Sequence, residues 1–292
     1  MSHLAKKWLA PAKLNLFLHV TGQRDDGYHT LQTAFIFLDY FDELEFELNQ
    51  TGQIKRIDQT GRVKIDLPEF DLCINAATLL QQQFKVKQGV TISLKKNISA
   101  GAGLGGGSSN AATVLIALNK LWKINLSTPE LIKIGRKLGD DVPVFLHGEN
   151  TLALGVGDEF SPLKLPQIDY CVLIPRNHVS TSEIFSDSSL TRDTPIKTIR
   201  GSLNPSQMSG LVNDLEQITC LRYPLVGEAL NWLKQFGDAR MSGTGSSVFL
   251  ACDSRNAANN ILHQLPAIFG DKVDGFVARS LLRHPHKDDV PA

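Results

Sequence analysis

The sequence has no excess of charge of either sign. Its 292 residues include 30 basic and 30 acidic side chains, so the formal net charge at neutral pH is zero. A broad basic surface for holding a nucleic acid backbone is therefore not expected. Charged residues make up 21% of the chain and apolar residues 42%. This balance is enough for a packed core and argues against global disorder.

Cysteines are few, and long apolar runs are missing. Cys73, Cys171, Cys220 and Cys252 lie far apart and have no spacing typical of a metal site. Such scattered cysteines predict reduced thiols of a cytoplasmic protein and not a disulfide framework. No apolar run approaches the ~20 residues that a membrane span requires, and the N-terminal residues lack the pattern of a signal peptide. We therefore expect a cytoplasmic protein that has neither a membrane nor a nucleic acid as its partner.

Alternating segments dominate the predicted secondary structure. Apolar and polar side chains alternate in residues 14–20, 44–48 and 90–95, a pattern typical of strands with one buried and one polar face. This alternation favours antiparallel or mixed sheets, because strands of all-parallel sheets are buried on both faces. A helical pattern in residues 111–122 lies between strands. We therefore predict the α/β class, of the α+β type.

A change of composition suggests two domains. Two prolines and several polar residues interrupt the pattern at Ser161–Gln167, and a fresh strand pattern begins at Tyr170. We predict a boundary at residue 163, which gives an N-terminal domain over 1–163 and a C-terminal domain over 164–292.

The segment with the clearest chemical meaning is Gly101–Asn110, which reads GAGLGGGSSN. Five glycines in seven residues, between a strand and a helix, let backbone amides converge on a phosphate at the positive end of that helix. Ser108 and Ser109 could cap the helix or offer hydroxyls to phosphate oxygens or a metal ion. The alternative is a tight turn with an ordinary helix cap, but such a turn needs only one glycine.

Two other phosphate-binding classes fit this loop less well. Gly101, Gly103 and Gly106 satisfy the dinucleotide pattern GxGxxG, which leaves a nucleotide-dependent oxidoreductase as a second hypothesis. The alternating strand before the loop and the distant next acid, Glu130, disfavour a Rossmann unit. The chain also contains no G-K-[S/T] triplet and no H-R-D or D-F-G motif, which argues against P-loop proteins and protein kinases.

Three segments together resemble the motifs of the GHMP kinases, a family of small-molecule kinases. They are PAKLNLFL at 11–18, GAGLGGGSSNAA at 101–112 and SGTGSSVF at 242–249, in the order the family has them. The resemblance implies a two-domain fold with mixed or antiparallel sheets and a cleft between the domains, where ATP and the substrate meet. It also implies Mg²⁺, because the charge on the phosphates must be neutralised.

Two more segments, GYHTLQT at 27–33 and GDDVPVFL at 139–146, are similar to one branch of that family. The similarity implies phosphorylation of the 2-hydroxyl of 4-diphosphocytidyl-2-C-methyl-D-erythritol, a cytidylyl small molecule, in the mevalonate-independent route to isoprenoids. A GHMP kinase of the homoserine or mevalonate type is the nearest alternative. A catalytically inactive relative that only senses ATP is disfavoured because Lys13 and Asp141, which match the family's catalytic positions, are both present.

The resemblance implies that Lys13 and Asp141 are the catalytic residues. A carboxylate at the acceptor hydroxyl can take its proton or orient it, and a lysine beside it can stabilise charge on the acceptor oxygen or the phosphoryl group. The alternatives are a solvated strand lysine and an aspartate that caps the helix beginning at Val142. Asp140 is predicted to lie on the surface.

Nucleotide binding is predicted for the glycine loop and the residues before it. Ser99 stands where the family usually has proline, and Asp71 stands where it usually has asparagine. The magnesium ligands stay open, with Ser108 as the candidate protein contact. The predicted nucleotide-binding residues are Ser99, Ala100, Gly101, Ala102, Gly103, Leu104, Gly105, Gly106, Gly107, Ser108 and Ser109.

Substrate binding is predicted for five side chains in three segments. Asn15 shares a strand face with the catalytic lysine, and Tyr28 and His29 follow in a turn. An aromatic ring suits stacking on cytosine, and a histidine suits its polar edge. Thr181 and Phe185 belong to a stretch that resembles a substrate-lining segment. Outside this context, the Tyr-His pair would be an ordinary part of the surface.

Three remaining features receive structural interpretations. The glycine turn Gly243–Ser246 is predicted to pack against the first glycine loop. Lys95 and Lys96 are interpreted as a surface pair, and Arg283–Lys287 as a frayed terminus despite its two histidines. We expect a monomer or a weak homodimer.

Overall fold

The computed structural model describes residues 6–63, 71–199, 201–203, 208 and 210–291. This part of the chain folds into two sheets with helices packed against them. Within it, no helix combines the length and hydropathy that crossing a bilayer requires.

The first sheet is mixed, as predicted. The described strands are β1 (Trp8–Gln23), β2 (His29–Asn49), β3 (Ile54–Gln59), β4 (Gly89–Lys95), β5 (Thr151–Leu154) and β6 (Glu159–Pro162). Their order is β3-β4-β2-β5-β6, and β1 pairs with β2. The β3–β4 pair is parallel and the other pairs are antiparallel.

Both faces of β1 are buried, although its alternation predicted one polar face. The second half of the chain lies along the edge of β1 that faces away from β2: Ser242 Oγ accepts a hydrogen bond from the Asn15 amide at 3.1 Å, and the Val212 carbonyl accepts one from the Leu18 amide at 3.0 Å. It also reaches the polar face, where His19 Nε2 accepts the Val212 amide at 3.3 Å. The polar residues of β1 that this covering buries are Lys13, Asn15 and His19.

Of the four helices in the first half, the first two pack on this sheet, and the other two pack on the second helix and on each other. The capping box of Ser127 and Glu130 begins α3, and Asp71 caps α1 by accepting the amides of Cys73 and Ile74. The helix after the glycine loop begins with Gly105 as its cap residue, so the serines lie inside its first turn and do not cap it. The helices are α1 (Leu72–Gln83), α2 (Gly106–Leu121), α3 (Thr128–Gly135) and α4 (Val142–His147).

The second sheet is antiparallel and has the order β10-β7-β9-β8. Its strands are β7 (Asp169–Pro175), β8 (Arg240–Met241), β9 (Val248–Cys252) and β10 (Val273–Arg279). The helices of this half are α5 (Thr181–Phe185), α6 (Glu216–Arg222), α7 (Pro224–Leu233), α8 (Arg255–Leu262) and α9 (Leu265–Phe269).

The two sheets share apolar contacts. Leu14 and Ile36 of the first sheet belong to one buried cluster with Val172 and Phe276 of the second. The chain passes from one sheet to the other between β6 and β7, close to the predicted boundary at residue 163. Because a shared core does not separate two independent units, the division into 1–163 and 164–292 stays a prediction.

The C-terminal segment, Leu281–Asp289, is docked on the first half, so the interpretation of Arg283–Lys287 as a frayed terminus is wrong. The Leu281 amide donates to the Phe37 carbonyl at 2.8 Å, and His286 Nε2 accepts the Leu9 amide at 2.8 Å. The rings of His286 and Trp8 lie 4.7 Å apart. These contacts join sequence positions far from each other, so the local polarity of the segment did not indicate them.

Candidate active site

A cavity of about 1110 Å³ lies where the two halves meet. Most of the predicted site residues line it, and they come from β1, the turn that leads into β2, the glycine loop with the start of α2, the residue before α4, and α5. The predicted residues in the lining are Lys13, Asn15, Tyr28, His29, Ser99, Ala100, Gly101, Ala102, Gly103, Gly105, Gly106, Gly107, Ser108, Asp141, Thr181 and Phe185.

Two predicted residues of the glycine loop lie outside this lining. Leu104 is fully buried in the core, and its carbonyl accepts the Lys13 amide at 3.0 Å. Ser109 is also fully buried, and its amide donates to the Gly105 carbonyl at 2.8 Å within α2. Both residues therefore attach the loop to the protein interior.

Lys13 and Asp141 approach each other inside the cavity. The Lys13 ammonium lies 3.3 Å from Asp141 Oδ2 and donates to Asn15 Oδ1 at 2.5 Å. The Lys13 side chain is 4% exposed, whereas that of Asp141 is 35% exposed. Asn15 Nδ2 in turn donates to Thr33 Oγ1 at 2.9 Å. The lysine is thus a buried, oriented cation, and the carboxylate remains accessible from the cavity.

The capping alternative for Asp141 does not fit its geometry. Asp141 precedes α4, but its side chain accepts no hydrogen bond from the first turn, all of whose residues are described. The neighbouring Asp140 is exposed as predicted, yet it also lines the cavity. Partial desolvation by the surrounding protein atoms, together with the charges of Asp141 and Asp158, raises the pKa of the Asp140 carboxyl.

The glycine loop needs glycine at Gly103 for two reasons. Its φ of +73° is in the left-handed region, and a Cβ there would lie 2.2 Å from the Ser242 carbonyl oxygen. At Gly105, also at positive φ, a Cβ would lie 3.1 Å from Lys13 Cε. The backbone of the loop therefore lies close to both Lys13 and the second glycine turn.

The second glycine turn packs against the first loop, as predicted. Ser242 Oγ donates to the Gly103 carbonyl at 3.0 Å, and the Ser247 amide donates to the Ala102 carbonyl at 3.1 Å. Since Ser242 Oγ also accepts the Asn15 amide, one hydroxyl joins the glycine loop to β1. Gly243 and Thr244 of this turn line the cavity.

Aromatic and polar side chains form the end of the cavity near the turn before β2. Tyr28 is 57% exposed there. The rings of His29 and Phe185 lie 5.1 Å apart with an interplanar angle of 32°. The Thr181 and Thr244 hydroxyls are within 3.2 Å of each other and bring α5 to the second glycine turn.

Two features of this region were missed by the sequence analysis. Arg192 lines the cavity, and its Nε donates to His29 Nε2 at 3.0 Å. No local motif distinguishes this arginine. Lys96 is buried and forms an ion pair with Asp42, so its interpretation as a surface lysine is wrong. Lys95 does lie nearer the surface, in an ion pair with Glu43.

Known proteins resemble both halves of this chain. The profile described as GHMP kinases N terminal domain matches residues 71–149, and the one described as GHMP kinases C terminal matches residues 206–271. A 4-diphosphocytidyl-2-C-methyl-D-erythritol kinase from Dechloromonas aromatica is 49% identical over 95% of this chain and 98% of its own length. A relative of the same name from Shewanella denitrificans is 46% identical over 97% of this chain and 96% of its own.

Solved structures of kinases also resemble this chain. A crystal structure of 4-(cytidine 5'-diphospho)-2C-methyl-D-erythritol kinase superposes with a TM-score of 0.78 at 29% identity, covering 94% of this chain and 99% of the other. A homoserine kinase from Cytophaga hutchinsonii superposes with a TM-score of 0.61 at 19% identity, covering 97% and 96%, and so shares the fold. The chain therefore belongs to the GHMP kinases and, among them, to the family of 4-diphosphocytidyl-2-C-methyl-D-erythritol kinases. This membership confirms the predicted fold class and excludes the oxidoreductase hypothesis.

Proposed function

We propose that this protein transfers the γ-phosphoryl group of ATP to the 2-hydroxyl of 4-diphosphocytidyl-2-C-methyl-D-erythritol, which yields the 2-phosphate and ADP. The observation that carries the proposal is the pair of Lys13 Nζ and Asp141 Oδ2, 3.3 Å apart in a cavity that the glycine loop also lines. The names of two relatives that are 49% and 46% identical over nearly their full length support the same substrate.

Asp141 is proposed to act on the acceptor hydroxyl. As the hydroxyl oxygen forms its bond to the γ-phosphorus, the bond from that phosphorus to the leaving oxygen of ADP breaks, and Asp141 receives or directs the hydroxyl proton. Its partial exposure to the cavity supports this role. Lys13, oriented by Asn15 and Asp141, stabilises negative charge on the acceptor oxygen and the phosphoryl group.

The glycine loop is proposed to hold the phosphates of ATP. Its residues before and inside the first turn of α2 line the cavity, and no side chain caps that helix. Amides at an uncapped helix start bind anions through hydrogen bonds and through the helix dipole. The contact with the second glycine turn keeps this backbone rigid before the nucleotide binds.

Magnesium fits the side chains that line the cavity. The described residues contain no cluster of three or more metal-ligating side chains, but Mg²⁺ is commonly held by one or two protein oxygens and the phosphates. Ser108, Asp140 and Asp141 offer only such hard oxygen donors. We propose Ser108 and Asp140 as the residues that would hold the ion, which neutralises phosphate charge when bound.

The cytidylyl group is proposed to bind at the aromatic end of the cavity. Tyr28 and Phe185 offer ring faces to the base, and His29 offers a polar ring edge. Asn15 and Thr181 are proposed to contact the remainder of the substrate. The four cysteines are free thiols, which supports the proposed cytoplasmic location. A monomeric or weakly dimeric state stays a prediction.

An assay of ADP release across several acceptors tests the proposed function. Purified protein with ATP and Mg²⁺ is expected to turn over 4-diphosphocytidyl-2-C-methyl-D-erythritol much faster than homoserine or mevalonate. Asp141→Asn protein serves as the control for contaminating kinases. Faster turnover of either other acceptor would reject the proposed substrate and favour a different GHMP kinase activity.

A further inference from the structure

Arg192 is held rigidly beside the aromatic end of the cavity. Its guanidinium donates to the backbone carbonyls of Leu190 at 3.0 Å, Phe185 at 3.0 Å and Asp187 at 2.9 Å. A further donor of the same guanidinium, the Nε–H, points to His29 Nε2 at 3.0 Å. Three carbonyl partners fix the plane of the guanidinium, so the arginine presents this Nε–H to the histidine in a set direction.

This contact determines where His29 carries its proton. A guanidinium only donates hydrogen bonds, so His29 Nε2 must be the acceptor and must be unprotonated. Burial and the positive charge of Arg192 also lower the pKa of His29, which keeps the imidazole neutral. A neutral imidazole with a bare Nε2 has its proton on Nδ1.

The Nδ1 atom is available to a ligand. His29 lines the cavity, and Nδ1 has no protein partner among the described residues. It is not one of the buried polar atoms that lack a partner, so it retains access to solvent. The adjacent Phe185 ring, tilted by 32° and 5.1 Å away, restrains the imidazole plane.

We propose that Arg192 is a positioning residue that makes His29 a donor at Nδ1, and that this donor selects cytosine over uracil. The proposal rests on the proposed function, since it concerns the base of the cytidylyl substrate. Cytosine has an unprotonated N3 that accepts a hydrogen bond, whereas N3 of uracil carries a hydrogen and donates. A histidine free to exchange its proton could serve either base, but one held by Arg192 pairs with the cytosine N3 and opposes the N3–H of uracil.

The tautomer is tested directly by NMR of the free enzyme. The nitrogen chemical shifts of the His29 imidazole are expected to show the proton on Nδ1 in the unaltered protein. In Arg192→Met the population protonated on Nε2 should become substantial, because the fixed donor is lost. Arg255→Met, the same substitution at an exposed arginine outside the cavity, is expected to leave His29 unchanged. An unaltered protein with its proton on Nε2 would overturn the proposal whether or not the Met variant folds.

Base selection is tested by comparing kcat/KM for the cytidylyl substrate and for its uridylyl analogue. Loss of one selecting hydrogen bond is expected to reduce the preference for cytosine about fivefold to tenfold in Arg192→Met. KM for ATP should stay within about twofold of the unaltered value, and Arg192→Lys, which keeps a charged donor, should recover part of the preference. An unchanged preference for cytosine in Arg192→Met would refute the proposed selection of the base.

Absence of turnover on either nucleotide substrate by the unaltered protein would instead reject the proposed function. The NMR result would still decide the tautomer of His29.

Discussion

At the scale of single residues, the site depends on how differently Lys13 and Asp141 are exposed. The lysine is almost completely buried and its ammonium contacts both Asn15 and Asp141, so its direction is fixed before any ligand binds. The carboxylate has only this one side-chain ion pair among the described contacts and remains open to the cavity. A fixed cation beside an accessible carboxylate is suited to a transferring phosphoryl group.

Asp141→Asn is expected to lower kcat by roughly 10²–10⁴, since the amide cannot accept the hydroxyl proton. The KM for ATP should change little, because the glycine loop and not Asp141 is proposed to hold the phosphates. Steady-state kinetics by ADP release provides the measurement, with Asp271→Asn, an exposed aspartate outside the cavity, as the control. A kcat equal to that of the unaltered protein would remove Asp141 from the chemistry.

At the scale of elements, two glycine segments from different halves of the chain stabilise each other. The Ser242 hydroxyl contacts both β1 and the Gly103 carbonyl, and the Ser247 amide binds the Ala102 carbonyl. The second glycine turn thus holds the loop through the Ala102 and Gly103 carbonyls, and the buried Leu104 side chain attaches the loop to the core. This arrangement keeps the backbone amides of the loop ready for an anion.

Gly103→Ala should disrupt this contact. Alanine at this position would have an unfavourable positive φ, and its methyl group would collide with the Ser242 carbonyl oxygen. We therefore expect the free energy of unfolding to decrease by about 1–3 kcal/mol. The KM for ATP should rise at the same time. Urea denaturation and kinetics together give both quantities.

Gly52→Ala is the matched control for this prediction. Gly52 has a φ of +74°, close to that of Gly103, but a Cβ there meets its nearest atom at 3.2 Å and lies outside the cavity. Gly52→Ala should lower the free energy of unfolding because of the unfavourable positive φ, and it should leave the KM for ATP unchanged. Equal effects of the two substitutions on both quantities would mean that contact with the second glycine turn is unimportant.

At the scale of the whole molecule, the C-terminal segment fastens the chain end to the first half and buries histidines in doing so. His284 is 1% exposed, its Nδ1 accepts the His286 amide at 3.1 Å, and its Nε2 has no partner among the described residues. Burial lowers the pKa of His284 to about 3 and that of His147 to about 4. Both side chains are therefore neutral in the folded protein over the physiological range.

Stability is expected to fall as the pH decreases from 7.5 to 5. In the unfolded chain these histidines take up protons near pH 6.5, whereas in the folded protein they remain neutral until about pH 3–4, so the unfolded state binds more protons. Each such group contributes a slope of up to about 1.4 kcal/mol per pH unit below pH 6.5. Urea denaturation at several pH values measures this slope.

His284→Asn should reduce the slope of the free energy of unfolding against pH. Asparagine can still accept the His286 amide, but it does not titrate. His263→Asn, at an exposed position, should leave the slope as it is. The explanation fails if His284→Asn retains the full slope, or if the unaltered protein is equally stable at pH 7.5 and pH 5.

Local patterns determined much of this protein in advance. The glycine loop and the alternation of β1 each depend on residues that are neighbours in sequence. The chemistry of a loop that binds phosphate follows from backbone freedom, which composition alone reveals. For this reason the mixed sheet, and a glycine loop that lines the cavity, could be predicted from the sequence.

Only the tertiary structure decided the features that join distant positions. Asp42 pairs with Lys96 across 54 residues, Arg192 binds His29 across 163 residues, and the C-terminal segment docks onto β1 and β2. No period or motif marks these partners, because a long-range contact depends on how the sheets pack and not on the spacing of neighbours. The sequence by itself determined which chemical groups were available, and folding determined which of them meet.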